Sequence, residues 1–79
     1  EKIVLRFPES LAYRIYDEFN PETVKREDGV LIVTVWMPVD EWLTRYLLTF
    51  GTEIEVLEPP ELRPMLAELG KAIYEKYRD

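Results

Sequence analysis

One stretch in the second half of the chain constrains the backbone more than any other. Residues 51–63 read Gly-Thr-Glu-Ile-Glu-Val-Leu-Glu-Pro-Pro-Glu-Leu-Arg. Gly51 follows a helical apolar series and suits the left-handed conformation that ends a helix. Ile54 and Val56 alternate with glutamates, which predicts a strand with one buried face. The double proline lacks amide hydrogens for a ladder, and Pro60 is preset for a first helical position, so the predicted strand turns directly into a helix.

The first part of the chain predicts a strand followed by a helix. Residues 2–7 alternate polar and apolar side chains, which indicates a strand with its apolar side inward, and Pro8 ends it. Glu9 and Ser10 then open a helix whose buried line is Leu11, Ile15 and Phe19. Asn20-Pro21 ends this helix.

A hairpin and a second helix follow. Asp28-Gly29 predicts a tight turn between strands at residues 23–27 and 30–37, because that turn requires positive φ at both positions. Pro38 ends the second of these strands, and Asp40 is well placed to cap a helix over residues 41–50.

The final segment predicts an amphipathic helix that extends to about Tyr77. Its apolar residues recur at spacings of three and four: Leu62, Met65, Leu66, Leu69 and Ile73. Two residues disfavour it, since Pro64 removes an early helical hydrogen bond and Gly70 costs about 1 kcal/mol relative to alanine. Residues 60–63 could therefore form a separate turn, with the helix beginning at Pro64.

The order strand, helix, strand, strand, helix, strand, helix predicts an α+β fold in one domain over residues 1–79. Four strands with two crossover helices match the ferredoxin-like β-α-β-β-α-β sandwich, here with one additional C-terminal helix. In that arrangement the helices cover one sheet face and leave the other open. The final helix could cover the open face, cover a sheet edge, or project toward a neighbour.

Composition excludes several classes of function. The chain has no histidine, no cysteine and no glycine-rich phosphate loop, which argues against an enzyme, a metal site or a bound cofactor. A net charge of −6 argues against duplex DNA binding by this chain alone. The absence of cysteine and of a long apolar run predicts a cytoplasmic protein without a membrane span. Because the sequence lacks an initiator methionine, we expect a fragment of a longer protein.

The open sheet face is the most informative candidate site. If Leu31 and Val33 point to the core, Ile32 and Trp36 must point outward, beside Val4 on a neighbouring strand. An exposed Trp and Ile require covering, either by the final helix or by a partner or ligand. If the final helix lies elsewhere, we expect weak self-association through this patch. The candidate charges at the rim of the face are Lys2, Arg6, Lys25 and Arg26.

Taken together, four segments resemble the WCX domain, the C-terminal extension of bacterial WYL-domain transcriptional regulators. They are Leu-Arg-Phe at residues 5–7, the acidic-Gly hairpin before the strand at 30–37, Glu-Trp-Leu-Thr-Arg-Tyr-Leu-Leu-Thr-Phe-Gly at 41–51, and Val-Leu-Glu-Pro-Pro-Glu-Leu-Arg at 56–63. The resemblance implies an upstream winged helix-turn-helix and WYL sensor domain in the same chain. It further implies a homodimer, a nucleic-acid or small-molecule effector, and no catalytic residue.

A second class of function also fits the predicted fold. Ferredoxin-like effector-binding domains of the ACT type regulate metabolic enzymes by binding amino acids. Such sensors usually bind their ligand through a strand-to-helix loop that contains glycine, and residues 7–10, Phe-Pro-Glu-Ser, contain none. The sequence therefore favours the transcriptional regulator.

Overall fold

The computed structural model describes residues 1–78 and contains four strands and three α-helices within them. It also contains short 3₁₀ turns at Glu9–Leu11, Pro21–Thr23 and Gly51–Glu53. The elements, in chain order, are β1 (Lys2–Pro8), α1 (Ala12–Glu18), β2 (Val24–Glu27), β3 (Val30–Trp36), α2 (Glu41–Leu48), β4 (Glu55–Glu58) and α3 (Leu62–Tyr77).

The four strands form one sheet in the order β2-β3-β1-β4, with every neighbouring pair antiparallel. Because α1 and α2 each connect strands that are not adjacent, the sheet has the split topology expected of a ferredoxin-like fold. The predicted α+β fold class is confirmed. Among the described residues, no helix is long and apolar enough to cross a membrane.

The core lies between the sheet and the helices. Ile3, Leu5 and Phe7 of β1 point into it, opposite Leu31 and Val33 of β3. Phe7 packs against the ring of Phe50, with centroids 4.9 Å apart. The remaining members of the buried cluster come from the helices and β4: Ile15, Leu43, Leu47, Val56 and Leu62.

The predicted turn and cap geometries are present. Asp28 and Gly29 have φ values of 48° and 80°, as a two-residue hairpin between β2 and β3 requires. Asp40 caps α2 by accepting a hydrogen bond from the backbone N–H of Leu43 at 2.8 Å. Gly51 has a φ of 62°, the left-handed conformation expected after α2.

Several element boundaries differ from the sequence prediction by one to three residues. A 3₁₀ turn replaces the first residues of the first predicted helix, and Phe19 is already extended, with φ −118° and ψ 148°. The helix α2 ends at Leu48 because the next backbone N–H groups bond three residues back, as Phe50 N–H does to the Leu47 carbonyl at 3.1 Å.

The helix α3 starts at a residue that differs from both sequence predictions, which placed its start at Pro60 or at Pro64. Residues 59–61 form a turn in which Leu62 N–H donates to the Pro59 carbonyl at 3.1 Å, so Pro60 is not the first helical residue. The helix begins at Leu62, and Pro64 lies in its first turn. Proline is tolerated there because the backbone N–H groups of a first turn have no partner within the helix.

The helix α3 packs against α2 and β4, on the helix side of the sheet. Leu62 is part of the core and Leu66 packs against it. The sequence alternative in which this helix covers the open sheet face is therefore wrong. Beyond Leu69, every described residue of the helix and of the following Arg78 is exposed, so the second half of α3 extends past the body of the domain.

Candidate functional site

The sheet face that points away from the helices, here called the open face, is the candidate site. Because side chains alternate along a strand, one set from each strand lies on it. The strand β1 contributes Lys2, Val4 and Arg6, β2 contributes Lys25 and Glu27, and β3 contributes Ile32, Thr34 and Trp36.

Trp36 is the most prominent apolar side chain on the open face and is 70% exposed. It lies at the end of β3, directly opposite Lys2 of β1. The backbone around it is well ordered by the sheet, since the N–H of Met37 continues the ladder by donating to the Glu1 carbonyl at 3.0 Å. A large exposed aromatic ring is thus held by the sheet at a position that pairs with a lysine on the neighbouring strand.

The other two apolar residues predicted for this face are more covered than expected. Val4 is only 8% exposed and Ile32 is partly buried. The reason is that β1 is a central strand, so Val4 lies between Thr34 of β3 and Glu58 of β4. The open face therefore offers less apolar surface for self-association than the sequence predicts.

Basic side chains surround this apolar strip. Arg6 forms an exposed ion pair with Glu55 at 3.4 Å, and Lys25 forms one with Glu27 at 3.4 Å. Among residues 1–78, Lys2 makes no ion pair. A shallow depression of about 340 Å³ lies toward the hairpin end of the face, with Arg6 and Ile32 in its lining.

Arg26, the fourth predicted rim charge, lies on the opposite side of the sheet. It pairs in register with buried Leu31, and its Nε donates to Oε2 of Glu9 at 3.0 Å. This hydrogen bond and the opposite charge raise the pKa of Arg26 and lower the pKa of the Glu9 carboxyl. Lys25 and Arg26 are consecutive strand residues, so they cannot both lie on the open face, and the prediction for Arg26 is wrong.

A second aromatic surface, on the helix side, was missed by the sequence reasoning. Trp42 stacks on Tyr46 with ring centroids 5.3 Å apart and an interplanar angle of 5°. The signal was available, because two aromatic residues four apart on one helix lie next to each other. The Tyr46 hydroxyl donates to Oε1 of Glu18 at 2.5 Å, which ties α2 to α1.

Burial, followed by the hydrogen bond to Glu18, raises the pKa of Tyr46 to about 12. The hydrogen bonds from Tyr46 and then from Arg14 lower the pKa of the Glu18 carboxyl. Arg14 also lies over the Phe50 ring, 3.8 Å from its centroid. Since the polar groups of this cluster are hydrogen-bonded to one another, the cluster stabilises the helix layer. Few of its polar groups remain free to bind a ligand.

Residues 1–78 hold no group of three or more side chains suited to binding a metal ion. On the open face, Glu55 and Glu27 are ion-paired with Arg6 and Lys25 and are not gathered into an acidic cluster. Among the described residues, no buried polar side-chain atom lacks a hydrogen-bond partner. The arrangement can stack a planar ring and pair with an anion. It contains no nucleophile with an adjacent base.

Comparison with known proteins gives two findings. The chain matches the WCX domain family over residues 1–74. It is also similar to a protein of Bacillus subtilis (strain 168) named "Uncharacterized HTH-type transcriptional regulator YobV", with 32% identity over 69 residues. That alignment covers 85% of this chain and 22% of the relative, so the chain spans about a fifth of the length of the regulator that it matches.

Proposed function

Because this chain belongs to the WCX domain family, we propose that it is the C-terminal regulatory module of a WYL-type bacterial transcriptional regulator. It would follow a winged helix-turn-helix domain and a WYL domain in the same chain, support homodimer formation, and take part in effector sensing. The similar regulator YobV is several times longer than the matched region, which supports a multi-domain arrangement. The family match also favours this reading over an ACT-type domain of a metabolic enzyme.

The observation that carries the sensing role is the uncovered Trp36 beside Lys2 on the open face. Exposing a Trp forgoes much of the roughly 150–250 Å² that an aromatic side chain buries when it is covered. The only helix that could have covered this face within residues 1–78 is α3, and it packs on the other side. The ring is therefore available to a ligand.

The effector that this surface fits best is a short single-stranded nucleic-acid fragment. An aromatic ring can stack on a base of any sequence, and nearby cations can pair with the backbone phosphates. On the open face Trp36 supplies the ring, and Lys2 supplies a positive charge without an ion pair among residues 1–78. Arg6 and Lys25 would exchange their exposed partners Glu55 and Glu27 for phosphate oxygens. A mononucleotide has the same chemistry with a single base, so it should bind the same surface more weakly.

The remaining features fit a module that acts through binding. The chain carries a net charge of −6, so duplex DNA should be bound by the upstream helix-turn-helix domain and not by this domain. We expect no catalytic activity here, because no histidine, cysteine or phosphate loop is available. A transcriptional regulator acts where the bacterial DNA is, which makes the cytoplasm the expected location.

We predict that a fluorescein-labelled single-stranded DNA of about 10 nucleotides binds this domain at low salt, measured by fluorescence anisotropy. Trp36→Ala should weaken binding by about tenfold, because stacking of one base contributes about 1–3 kcal/mol. The matched control is Trp42→Ala, which removes the other exposed Trp, 61% exposed, from the helix side. This control should bind as the parent chain does.

Further arms define the ligand class. An unlabelled mononucleotide should compete at higher concentration, and a random duplex should bind with a dissociation constant weaker than about 100 μM at ~150 mM salt. The sensing role is contradicted if the parent chain binds no single strand, if both Trp variants lose binding equally, or if the duplex binds as tightly as the single strand.

A further inference from the structure

The second half of α3 is an amphipathic segment without a partner in the described chain. Ile73, Tyr74 and Tyr77 are exposed, Tyr77 by 80%. They continue the apolar stripe that begins with Leu62 and Leu66 in and against the core. We call residues 70–78 the α3 tip. A helix end that exposes two tyrosines and an isoleucine is expected to be covered by a binding partner.

An apolar groove lies beside the base of this tip. It has a volume of about 490 Å³ and runs between α3 and the C-terminal end of α2 with the following turn. Leu47 and Ile54 line one wall, while Leu66, Ala67 and Gly70 line the α3 wall. The groove and the tip are therefore adjacent parts of one surface.

Gly70 lies in the middle of α3, where packing within the described chain does not require a glycine. A Cβ atom added there would meet no other atom within 4 Å, so internal packing does not require a glycine. A glycine in a helix interior nevertheless costs about 1 kcal/mol relative to alanine. Its remaining physical use is to let another backbone approach closely, as small residues do where two helices cross.

The tip is basic, whereas the rest of the described domain is acidic. The tip carries Lys71, Lys76 and Arg78 against Glu75, a net charge of +2. Residues 1–69 hold seven basic and fourteen acidic side chains, a net charge of −7. Because the tip points away from its own body, this charge difference favours contact with the acidic body of a second copy.

We propose that the occupant of the groove is the α3 tip of a second copy of this chain, exchanged reciprocally. The two α3 helices cross antiparallel with Gly70 at the two-fold axis, so that each tip lies in the groove of the other copy. Covering two tyrosines in each copy, at about 150–250 Å² each, buries about 600–1,000 Å², and the groove walls that they cover bring the total above the ~1,000 Å² that a specific interface needs. This interface rests on the proposed dimeric regulator and names the surface that joins its two subunits.

Cysteine cross-linking tests this arrangement directly, because the chain contains no cysteine of its own. In Gly70→Cys the two new cysteines face each other at the two-fold axis. Their Cα atoms then lie within the roughly 4.4–6.8 Å that a disulfide can span. This variant should form a disulfide dimer on mild oxidation at low micromolar concentration. Glu68→Cys, on the opposite face of the helix, is the matched control and should cross-link at least about tenfold more slowly.

Sedimentation velocity over a concentration series gives the second readout. The parent chain should form a dimer that weakens as salt is added, and Gly70→Gln should weaken it by about tenfold or more because the inserted side chain blocks the crossing. At a concentration where the parent is monomeric, thermal unfolding of Gly70→Gln should occur at or above the parent midpoint, since no atom lies within 4 Å of the added Cβ. Trp36→Ala, on the open face, should dimerise as the parent does.

A parent chain that stays monomeric, or equal cross-linking rates for the two cysteine variants, overturns the interface. Neither result bears on single-strand binding at Trp36, which lies on the other face of the sheet. Loss of oligonucleotide binding with an intact Gly70 cross-link would overturn the sensing role alone.

Discussion

At the scale of single residues, Tyr46 links the two helices that cover the sheet. Its ring lies between Trp42 and Phe50, stacked on the first and edge-on to the second, while its hydroxyl donates to Glu18. The protonated phenol is the form that makes this bond. The pKa of Tyr46 is raised from 10.0 to about 12, so the folded state holds the proton more tightly than the unfolded state does.

Tyr46→Phe should lower the free energy of unfolding at neutral pH by about 1 kcal/mol, because it removes the bond to Glu18 and keeps the ring. For a group with a raised pKa the stabilisation is fully present below the unfolded value and is lost as pH rises through the folded value. The parent should therefore lose stability between pH 10 and about 12 more steeply than Tyr46→Phe does. Urea unfolding across that range measures this, with exposed Tyr13→Phe as the control; equal slopes in parent and variant would contradict the account.

Residue positions were predictable where strand alternation decided them. The two-residue period placed Trp36 and Ile32 outward, and the structure agrees. The same period forbids Lys25 and Arg26 from sharing a face, and the register of β2 places Arg26 on the helix side. The low exposure of Val4 was not predictable, since it depends on which strands flank β1 and how far their side chains reach.

At the scale of elements, two glycines have opposite roles. Gly51 has a φ of 62° after α2, a conformation that costs other residues about 1–2 kcal/mol. Gly70 has ordinary helical geometry in α3, with open space where a Cβ would lie. One glycine therefore stabilises the fold of the single chain, and the other weakens it.

Gly51→Ala should lower the free energy of unfolding by about 1 kcal/mol, and Gly70→Ala should raise it by up to about 1 kcal/mol. Each substitution adds the same methyl group, so the pair is its own control. Chemical denaturation at a concentration where the parent is monomeric separates this effect from dimerisation. A loss of stability in Gly70→Ala would mean that the glycine serves the fold and not a crossing.

Elements were predictable in number and order because their signals are local. Asp28-Gly29, Asp40 and Gly51 each fix a turn or a helix end through their own backbone or side chain. The start of α3 was less predictable, because three prolines lie within six residues and each is compatible with a turn or a first helical turn. Bonds to the Pro59 and Pro60 carbonyls decide it.

At the scale of the whole molecule, charge is unevenly distributed along an elongated body of 42 × 27 × 20 Å. Residues 1–69 hold seven basic and fourteen acidic side chains, a net charge of −7, while the α3 tip is basic. The open face and the α3 groove lie on different sides of the sheet. The proposed effector surface and the proposed dimer surface could therefore be occupied at the same time.

The placement of α3 is the part of the fold that the sequence could not supply. Its apolar stripe is compatible with packing on the open face and with packing on α2. Helical periodicity shows which side of a helix is buried, but not which element covers that side. Docking against α2 and β4 leaves Trp36 uncovered. Both proposals depend on this one feature of the architecture.

Thermal unfolding of two neighbouring β3 variants tests that feature most directly. Trp36→Lys should change the midpoint by no more than about 4 °C, as expected for a surface substitution in a domain of this size. Val33→Lys, which places a charge in the core at a fully buried position of the same strand, should unfold the domain at room temperature or lower the midpoint by more than about 15 °C. If Trp36→Lys destabilises the domain as severely as Val33→Lys does, Trp36 belongs to a covered interior and the open face does not exist.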